Sequence, residues 1–289
     1  MSENTIQWFP GHMAKTRRKI TESLSLVDAV VEITDARIPA SSRNPELAGI
    51  VVNKPLIVLL NKSDMADPGE TAKWIDWYKK QGITALAVDC RSGKGINAFE
   101  GAVKTVLKDK IEKNKEKGLV GKPLRLMIVG IPNVGKSSFI NRLSKSSRAK
   151  VEDRPGVTRG NQWFSVGGGL ELLDTPGVLW PKFDDERVGL RLAITGAIKD
   201  TVMDIETLAV RFIDEVKYKY GALLEQRYKF TLDTDAEAYD ILCDIGRKRG
   251  MVIRGGEIDT ERAAVMLMDE YRAAVIGRTT LDTITEQEV

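Results

Sequence analysis

Gly130-Ile-Pro-Asn-Val-Gly135-Lys136-Ser137 is the stretch that decides the fold class. It fits G-x-x-x-x-G-K-[ST], and its flanks suit that pattern: LRLMIVG before it is an apolar strand run, and SSFINRL after it opens a helix. Phosphate oxygens need many donors at short range. A loop with glycines at both ends lets successive backbone N–H groups point inward, and the helix N-terminus adds the positive end of its dipole. The reading gathers Asn133, Val134, Gly135, Lys136, Ser137 and Ser138 around the phosphates of a nucleotide. Lys136 is expected to reach the β- and γ-phosphates and Ser137 to ligate Mg²⁺ through its hydroxyl. The alternative is a chance match in an unrelated loop, which the strand and helix on the correct sides argue against.

Downstream, Asp174-Thr-Pro-Gly177 follows the strand run Leu170–Leu173. An Asp at a strand end beside the loop can hold Mg²⁺ through water, and the N–H of Gly177 can meet a γ-phosphate where a side chain would obstruct it. Between the two motifs lies RPGVTRG, whose Thr158 can ligate Mg²⁺ and sense the γ-phosphate; an ordinary loop threonine is the alternative. Upstream, Asn61-Lys-Ser-Asp64 closes a buried strand. The Asp64 carboxylate can accept the N1 and N2 hydrogens of guanine. Adenine lacks those donors, so with ATP a buried Asp64 would be left unpaired, a costly state. Asn61 can brace the loop and meet the other edge of the base, and the Lys62 stem can lie on its face. N-K-x-D is a weak signal alone, but with the other two motifs it favours GTP over ATP. The loop after the next strand, Asp89-Cys-Arg-Ser92, puts Cys90 and Arg91 where a backbone contact to the guanine oxygen is expected.

The order of these motifs is rotated. The guanine-reading motif usually follows the phosphate loop; here it stands at 61 and the phosphate loop at 130. A permuted sheet is possible when the original ends lie close together and a new linker joins them. The lysine-rich Lys104–Lys122 stretch sits where that linker must be, and reads as a solvated helix end plus linker. The γ-phosphate-sensing segment then leads directly into the C-terminal part, so nucleotide state is expected to reposition that part through loop ordering.

Around these motifs the chain reads as strands alternating with helices, then helices alone. Helices are expected over Thr16–Leu26, Pro45–Ile50, Glu70–Gln81 and Lys136–Leu143, with another ending near Val106. Strands are expected at Ala29–Thr34, Leu56–Leu60 and Ala85–Val88, and Gln162–Val166 forms a hairpin with Leu170–Leu173. Glu152–Asn161 reads as a loop. Leu190–Val202, Ile205–Tyr220, Ala236–Lys248 and Thr260–Gly277 read as helices. The fold class is α/β: a P-loop GTPase domain with circularly permuted motif order over 1–182, including a basic N-terminal arm, followed by a small all-helical domain over 183–289.

Composition is consistent with this. The 289 residues are 42% hydrophobic and 29% charged, with net charge +3. That is ordinary globular composition, and charge this mild implies a nucleic-acid partner only where basic residues cluster. The 2 cysteines, Cys90 and Cys243, match no metal-ligand spacing and suit a reducing, cytoplasmic setting. No signal-peptide core and no membrane-length apolar run is visible.

Where many GTPases place a water-orienting glutamine after D-x-x-G, this chain has Val178, whose side chain cannot hydrogen-bond. The only histidine, His12 in Trp8-Phe-Pro-Gly-His12-Met, is a candidate replacement, since an imidazole can orient or deprotonate water near neutral pH. A packing histidine on a docked N-terminal arm is the alternative. The Asn133 carbonyl can ligate a monovalent cation beside the phosphates; a plain polar loop residue is the alternative. Basic residues gather at Lys15, Arg17, Arg18 and Lys19, at Lys217 and Lys219, at Arg227 and Lys229, and at Arg247, Lys248, Arg249 and Arg254. They suit the phosphates of structured RNA. Solvated faces balanced by Asp214, Glu215 and Asp244 are the alternative.

W-F-P-G-H-M-A-K, D-A-R-I-P, N-K-S-D, G-I-P-N-V-G-K-S, P-G-V-T-R and D-T-P-G-V, in this order over most of the chain, resemble the ribosome biogenesis GTPase A family, also called YlqF. The resemblance implies a circularly permuted GTPase that binds ribosomal RNA and assists late assembly of the bacterial large ribosomal subunit, whose precursor is then the partner. It implies a hydrolytic role for His12, an apolar residue at Val178 in place of the catalytic glutamine, GTP/GDP and Mg²⁺ as ligands, and potassium stimulation through Asn133. Cys90-Arg91 departs from the usual Ser-Ala. A monomer is expected. The competing reading is a nucleotide switch that recruits a protein partner, with hydrolysis incidental; an ATP-dependent transporter or kinase is disfavoured by N-K-S-D.

Overall fold

The computed structural model describes residues 18, 20–51, 53–146, 151–152, 162–175, 177, 185–198 and 203–287. Seven strands form one sheet in the order β3-β2-β1-β4-β7-β6-β5. They are β1 Ala29–Asp35, β2 Leu56–Asn61, β3 Thr84–Ala87, β4 Leu124–Val129, β5 Val151–Glu152, β6 Gln162–Val166 and β7 Leu170–Asp174. The run from β3 to β7 is parallel, while β6 pairs antiparallel with β7 and β5 antiparallel with β6. β1 is buried along its whole length. A parallel strand covered on both faces reads as a near-continuous apolar run, which is why AVVEIT and LIVLL are legible as strands. The charged exceptions on β1 are Glu32, buried at 3% exposure and paired with Arg43 at 2.9 Å, and Asp35 at its end.

The permutation leaves its trace in the order of the strands. From β1 the chain moves outward to β2 and β3, then returns to place β4 on the other side of β1 and goes on to β7. The carboxyl ends of β1 and β4 therefore diverge, and a crevice opens between them of the kind in which α/β sheets bind ligands. The return path is α4 (Phe99–Val106), α5 (Lys108–Glu116) and the residues leading to β4. α5 lies within the lysine-rich Lys104–Lys122 stretch expected as a helix end plus linker; it is a helix of its own and buries no residue.

The remaining helices are a stretch over 20–24 (α1), α2 Pro45–Ile50, α3 Pro68–Lys80, α6 Lys136–Ser146, α7 Glu186–Ile194, α8 Ile205–Tyr228, α9 Ala238–Lys248 and α10 Thr260–Arg272. Asp67 caps α3 by accepting from the N–H groups of Gly69 and Glu70, with Pro68 in the first turn, so the helix starts two residues before the expected Glu70. Three C-terminal helices depart from expectation. α7 starts at Glu186 under an Asp185 cap and ends at Ile194, where Gly196 turns left-handed at φ 73°, rather than spanning Leu190–Val202. α8 passes through Gly221 to Tyr228: a Cβ on Gly221 would meet Leu232 Cδ2 at 2.5 Å, so this glycine serves close packing and not helix termination. α10 stops at Arg272, five residues short of Gly277. The expected boundary between 182 and 183 lies outside the described residues.

One hydrophobic cluster runs from Ile33, Leu59 and Ile128 on the sheet through Ile131 to Leu192, Phe212 and Leu267 on the C-terminal helices. The two parts are also joined by charge. Asp282 is fully buried, accepts from the N–H groups of Ala40 and Ser41 at 2.7 Å each and from Ser41 Oγ at 2.6 Å, and pairs with Arg191 Nη1 at 3.0 Å. Arg191 is held in turn by Glu215 at 3.1 Å. Removing one partner of a buried pair strands the other charge, so Asp282→Ala is expected to cost on the order of 3 kcal/mol in urea unfolding at neutral pH. A loss below about 1 kcal/mol, the range of a surface pair, would contradict this account.

Candidate functional site

The loop after β4 is shaped by what lies beside it. Gly130 leaves the strand at φ 149°, and a Cβ there would sit 2.5 Å from the Ile33 carbonyl oxygen of β1. Gly135 has φ 107°, and a Cβ there would sit 2.3 Å from Asn61 Nδ2. Only glycine fits either place. Lys136 opens α6 and folds back inside the loop, its Nζ donating to the carbonyls of Gly130 at 2.9 Å and Ile131 at 2.7 Å. Burial pushes the Lys136 ammonium down to about 8, with Asp174 opposing. Ser137 and Ser138 lie exposed in the first turn of the same helix.

Asp174 ends β7. Burial raises its carboxyl above the ordinary value, with Lys136 opposing. Its Oδ1 is buried and finds no hydrogen-bond partner among the described residues. Thr175 Oγ1 donates to the Ile128 carbonyl at 2.6 Å. A Cβ on Gly177 would lie 2.9 Å from both Lys136 Nζ and Pro132 N, so the chain passes too close to the loop for any side chain. Lys136 and Asp174 both have burial acting against their charge. A divalent cation and phosphate oxygens would relieve both, and an orphaned carboxylate oxygen suits a water ligand of Mg²⁺. His12, Thr158 and Val178 lie outside the described residues.

The other end of the site is organised by Asn61. Its Nδ2 donates to the Val134 carbonyl at 2.7 Å, and its Oδ1 accepts from the N–H of Cys90 at 3.0 Å. One amide thus ties together the loops after β2, β3 and β4. Lys62 adopts φ 59°, and its Nζ pairs with Asp35 Oδ2 at 2.9 Å. Asp35 is bonded three times by Arg37, by its backbone N–H at 3.0 Å and its guanidinium at 3.0 and 2.7 Å, and Arg37 also reaches the Thr195 carbonyl at 3.2 Å. Burial alone would raise the Asp35 carboxyl, but Arg37 and Lys62 outweigh it and hold it well below the usual carboxylate range. Asp64 is exposed, and its carboxylate takes no hydrogen bond among the described residues.

The loop after β3 differs in detail from expectation. The N–H of Cys90 is given to Asn61, and those of Arg91 and Ser92 to the Asp89 carboxylate at 2.8 and 3.2 Å. The Asp89 side chain closes its own turn, as aspartates at turn starts do. A base contact through Cys90 or Arg91 would have to share these donors. Asn133, at φ 58°, donates Nδ2 to the Ala197 carbonyl at 3.4 Å, which leaves its oxygen as the end available to a cation.

A cleft of about 290 Å³ joins these groups: Asn61, Lys62, Asp64, Cys90, Arg91, Asn133, Gly135 and Ser138 all line it. Lys136, Ser137, Asp174 and Gly177 are not in that lining and sit around the phosphate loop. Arg37, Met65, Thr195 and Arg272 also line the cleft and escaped the sequence reading. Arg37 had a signal, two residues after an acidic strand end in D-A-R-I-P. Thr195 and Arg272 had none, because the helical part is brought to the cleft only by folding.

A family model described as 50S ribosome-binding GTPase matches residues 125–234. The chain is 51% identical to ribosome biogenesis GTPase A of Priestia megaterium, covering 98% of this chain and 99% of that one. It is 32% identical to the Thermotoga maritima protein of the same name, covering 96% and 94%. Among solved structures, the GDP-bound structure of TM YlqF superposes with a TM-score of 0.68 at 28% identity, covering 93% of this chain and 100% of that one. GNP-bound YlqF from T. maritima gives 0.61 at 27% identity, covering 93% and 97%.

The Asp35 cluster yields a test of its own. Asp35→Ala, which strands Arg37 and Lys62, is expected to cost about 3–5 kcal/mol at pH 7. Because the folded carboxyl lies below its unfolded value of about 3.9, the wild-type advantage is full above that pH and shrinks as pH falls below it. Urea unfolding of both proteins at pH 7, 5 and 3 reads this; an advantage unchanged at pH 3 would show that the carboxylate charge is not what holds the cluster.

Proposed function

The chain belongs to the ribosome biogenesis GTPase A family, and from that premise we propose that it couples GTP hydrolysis to late assembly of the large ribosomal subunit, through the site built on Asn61, Asp64 and the Gly130–Ser137 loop. The fold is that of a P-loop GTPase, and guanine nucleotide is its ligand. The observation that carries the site reading is the shared cleft, in which Asp64 and Gly135 face one space although they lie far apart in sequence.

In this reading the Asp64 carboxylate accepts N1–H and N2–H of guanine, Asn61 meets the other edge, and the Lys62 stem covers a face. Val134, Gly135, Lys136 and Ser138 surround the phosphates, and Lys136 exchanges its two loop carbonyls for β- and γ-phosphate oxygens. Ser137 and Thr158 would ligate Mg²⁺, and Asp174 would hold it through water. The ion would neutralise charge developing between the β- and γ-phosphates. The N–H of Gly177 meets the γ-phosphate. Asn133 offers its oxygen to potassium. His12 orients the attacking water, the task Val178 cannot perform. Residues 1–182 form the catalytic unit and 183–289 the helical one.

The helical part is the proposed contact for ribosomal RNA. Several of its basic residues are already paired: Lys217 with Asp214, Lys219 with Glu70, Arg247 with Asp244, and Arg227 and Arg249 with Glu270. Lys229, Lys248 and Arg254 are exposed without an ion pair among the described residues, which makes them the better candidates for phosphate contacts. No described helix is long and apolar enough to cross a membrane. The proposed setting is the cytoplasm.

Co-sedimentation with large-subunit precursors tests the function. Retention with a non-hydrolysable GTP analogue and release with GDP is the expected pattern, and nuclease treatment should abolish retention. Equal retention in both nucleotide states, or retention that survives nuclease, would favour a switch acting on a protein partner. For the chemistry, His12→Ala is expected to lower subunit-stimulated turnover by about 10²-fold or more while GTP affinity stays within about twofold. Wild-type turnover in that variant would end the catalytic assignment.

A further inference from the structure

The loop that carries Asp64 is held from outside by a segment of the chain that no motif marks. Residues 278–282 run back from the helical part across the loop after β2. Arg278 spans it: Nη2 donates to the Ser63 carbonyl and Nε to the Ala66 carbonyl, both at 2.8 Å. Between these bonds the N–H of Thr279 donates to the Met65 carbonyl at 3.2 Å. Thr280 Oγ1 then accepts from the N–H of Asp67 at 3.2 Å, and Tyr220 Oη donates to Asp67 Oδ2 at the same distance. The segment also grips the turn that anchors Lys62, since the N–H of Leu281 donates to the Arg37 carbonyl at 2.8 Å.

Asp64 itself has no side-chain bond to fix it among the described residues, so its position rests on the backbone on either side. On one side is Lys62, left-handed and tethered to Asp35. Next to Asp64 on that side Arg278 occupies the Ser63 carbonyl, and on the other side Thr279 and Arg278 occupy those of Met65 and Ala66. Accepting two parallel N–H bonds from one edge of a base demands placement to about 0.5 Å. We propose that Arg278 is a positioning residue for guanine recognition: its guanidinium staples the Ser63–Ala66 turn, holds the Asp64 carboxylate in register with the base edge, and makes base selectivity depend on the docked C-terminal segment. The planar fork of arginine suits two diverging carbonyls; the single ammonium of lysine reaches one.

The inference rests on Asp64 being the guanine acceptor, and the test separates the two. Inosine diphosphate lacks the exocyclic N2 amine, so the ratio of GDP to IDP affinity reports how well a carboxylate is aligned with N1 and N2 together. Asp64→Asn measures what the carboxylate contributes, and an unchanged ratio there would remove the site reading itself. Given a reduced ratio in Asp64→Asn, Arg278→Ala is expected to lower GDP affinity by about tenfold and IDP affinity by much less, so the ratio falls by at least about threefold. Arg278→Lys should recover part of it. A general loosening of the fold would weaken both ligands alike, and an unchanged ratio in Arg278→Ala overturns the proposal. If Arg278→Ala does not fold, Arg278→Lys carries the same test, with a ratio equal to wild type as the refuting result.

Discussion

The amide of Asn61 is the joint on which the site depends. It sits at the end of β2, gives its N–H to the Val134 carbonyl of the phosphate loop and takes the N–H of Cys90 from the loop after β3. An amide is suited to this because it carries a donor and an acceptor on one rigid plane; an aspartate could not donate to Val134. The contact also explains why position 135 is glycine, since a Cβ would collide with Asn61 Nδ2. The loops after β2 and β4 are therefore coupled through one side chain, and displacing either moves the other.

That coupling accounts for the tolerance of the fold to permutation. The cleft is made from the carboxyl ends of neighbouring parallel strands, and their adjacency is set by pairing in the sheet and not by order along the chain. Cutting the chain elsewhere and joining the ends through α4 and α5 leaves β2, β1, β4 and β7 side by side. The joining helix needs only to reach and to be soluble, and α5, with its lysines and no buried residue, is built for no more than that.

Buried charge takes the next place in the hierarchy. Asp35, Arg37 and Lys62 form one cluster beneath the cleft, and Asp282 with Arg191 forms another at the seam between the sheet and the helices. Each carboxylate also accepts backbone or hydroxyl hydrogens, so the cost of removing it from water is offset by several bonds and not by a single pair. The consequence is functional. The helical part contributes Thr195 and Arg272 to the wall of the cleft and the 278–282 segment to its outer support, so the cleft is complete only when both parts are docked.

Read from the residues alone, the motifs and their flanking runs determined much: the α/β class, the rotated order, the strands β1, β2 and β4, and the candidates Asn61, Asp64 and Gly135 that the fold brings to one cleft. Those signals are local, because a phosphate loop or a buried parallel strand writes its geometry into consecutive residues. Helix ends were less legible where a glycine had two meanings: Gly221 packs inside α8, while Gly196 turns the chain just past the end of α7. What only the tertiary structure decided is the company these groups keep: the Asp35–Arg37 support under Lys62, the donors already spent at Cys90 and Arg91, the place of Arg272 in the cleft wall, and the return of Arg278 and Asp282 to loops more than two hundred residues upstream. Such contacts depend on where distant segments come to rest, and no spacing along the chain encodes a hydrogen bond between residues that meet only once the core has formed.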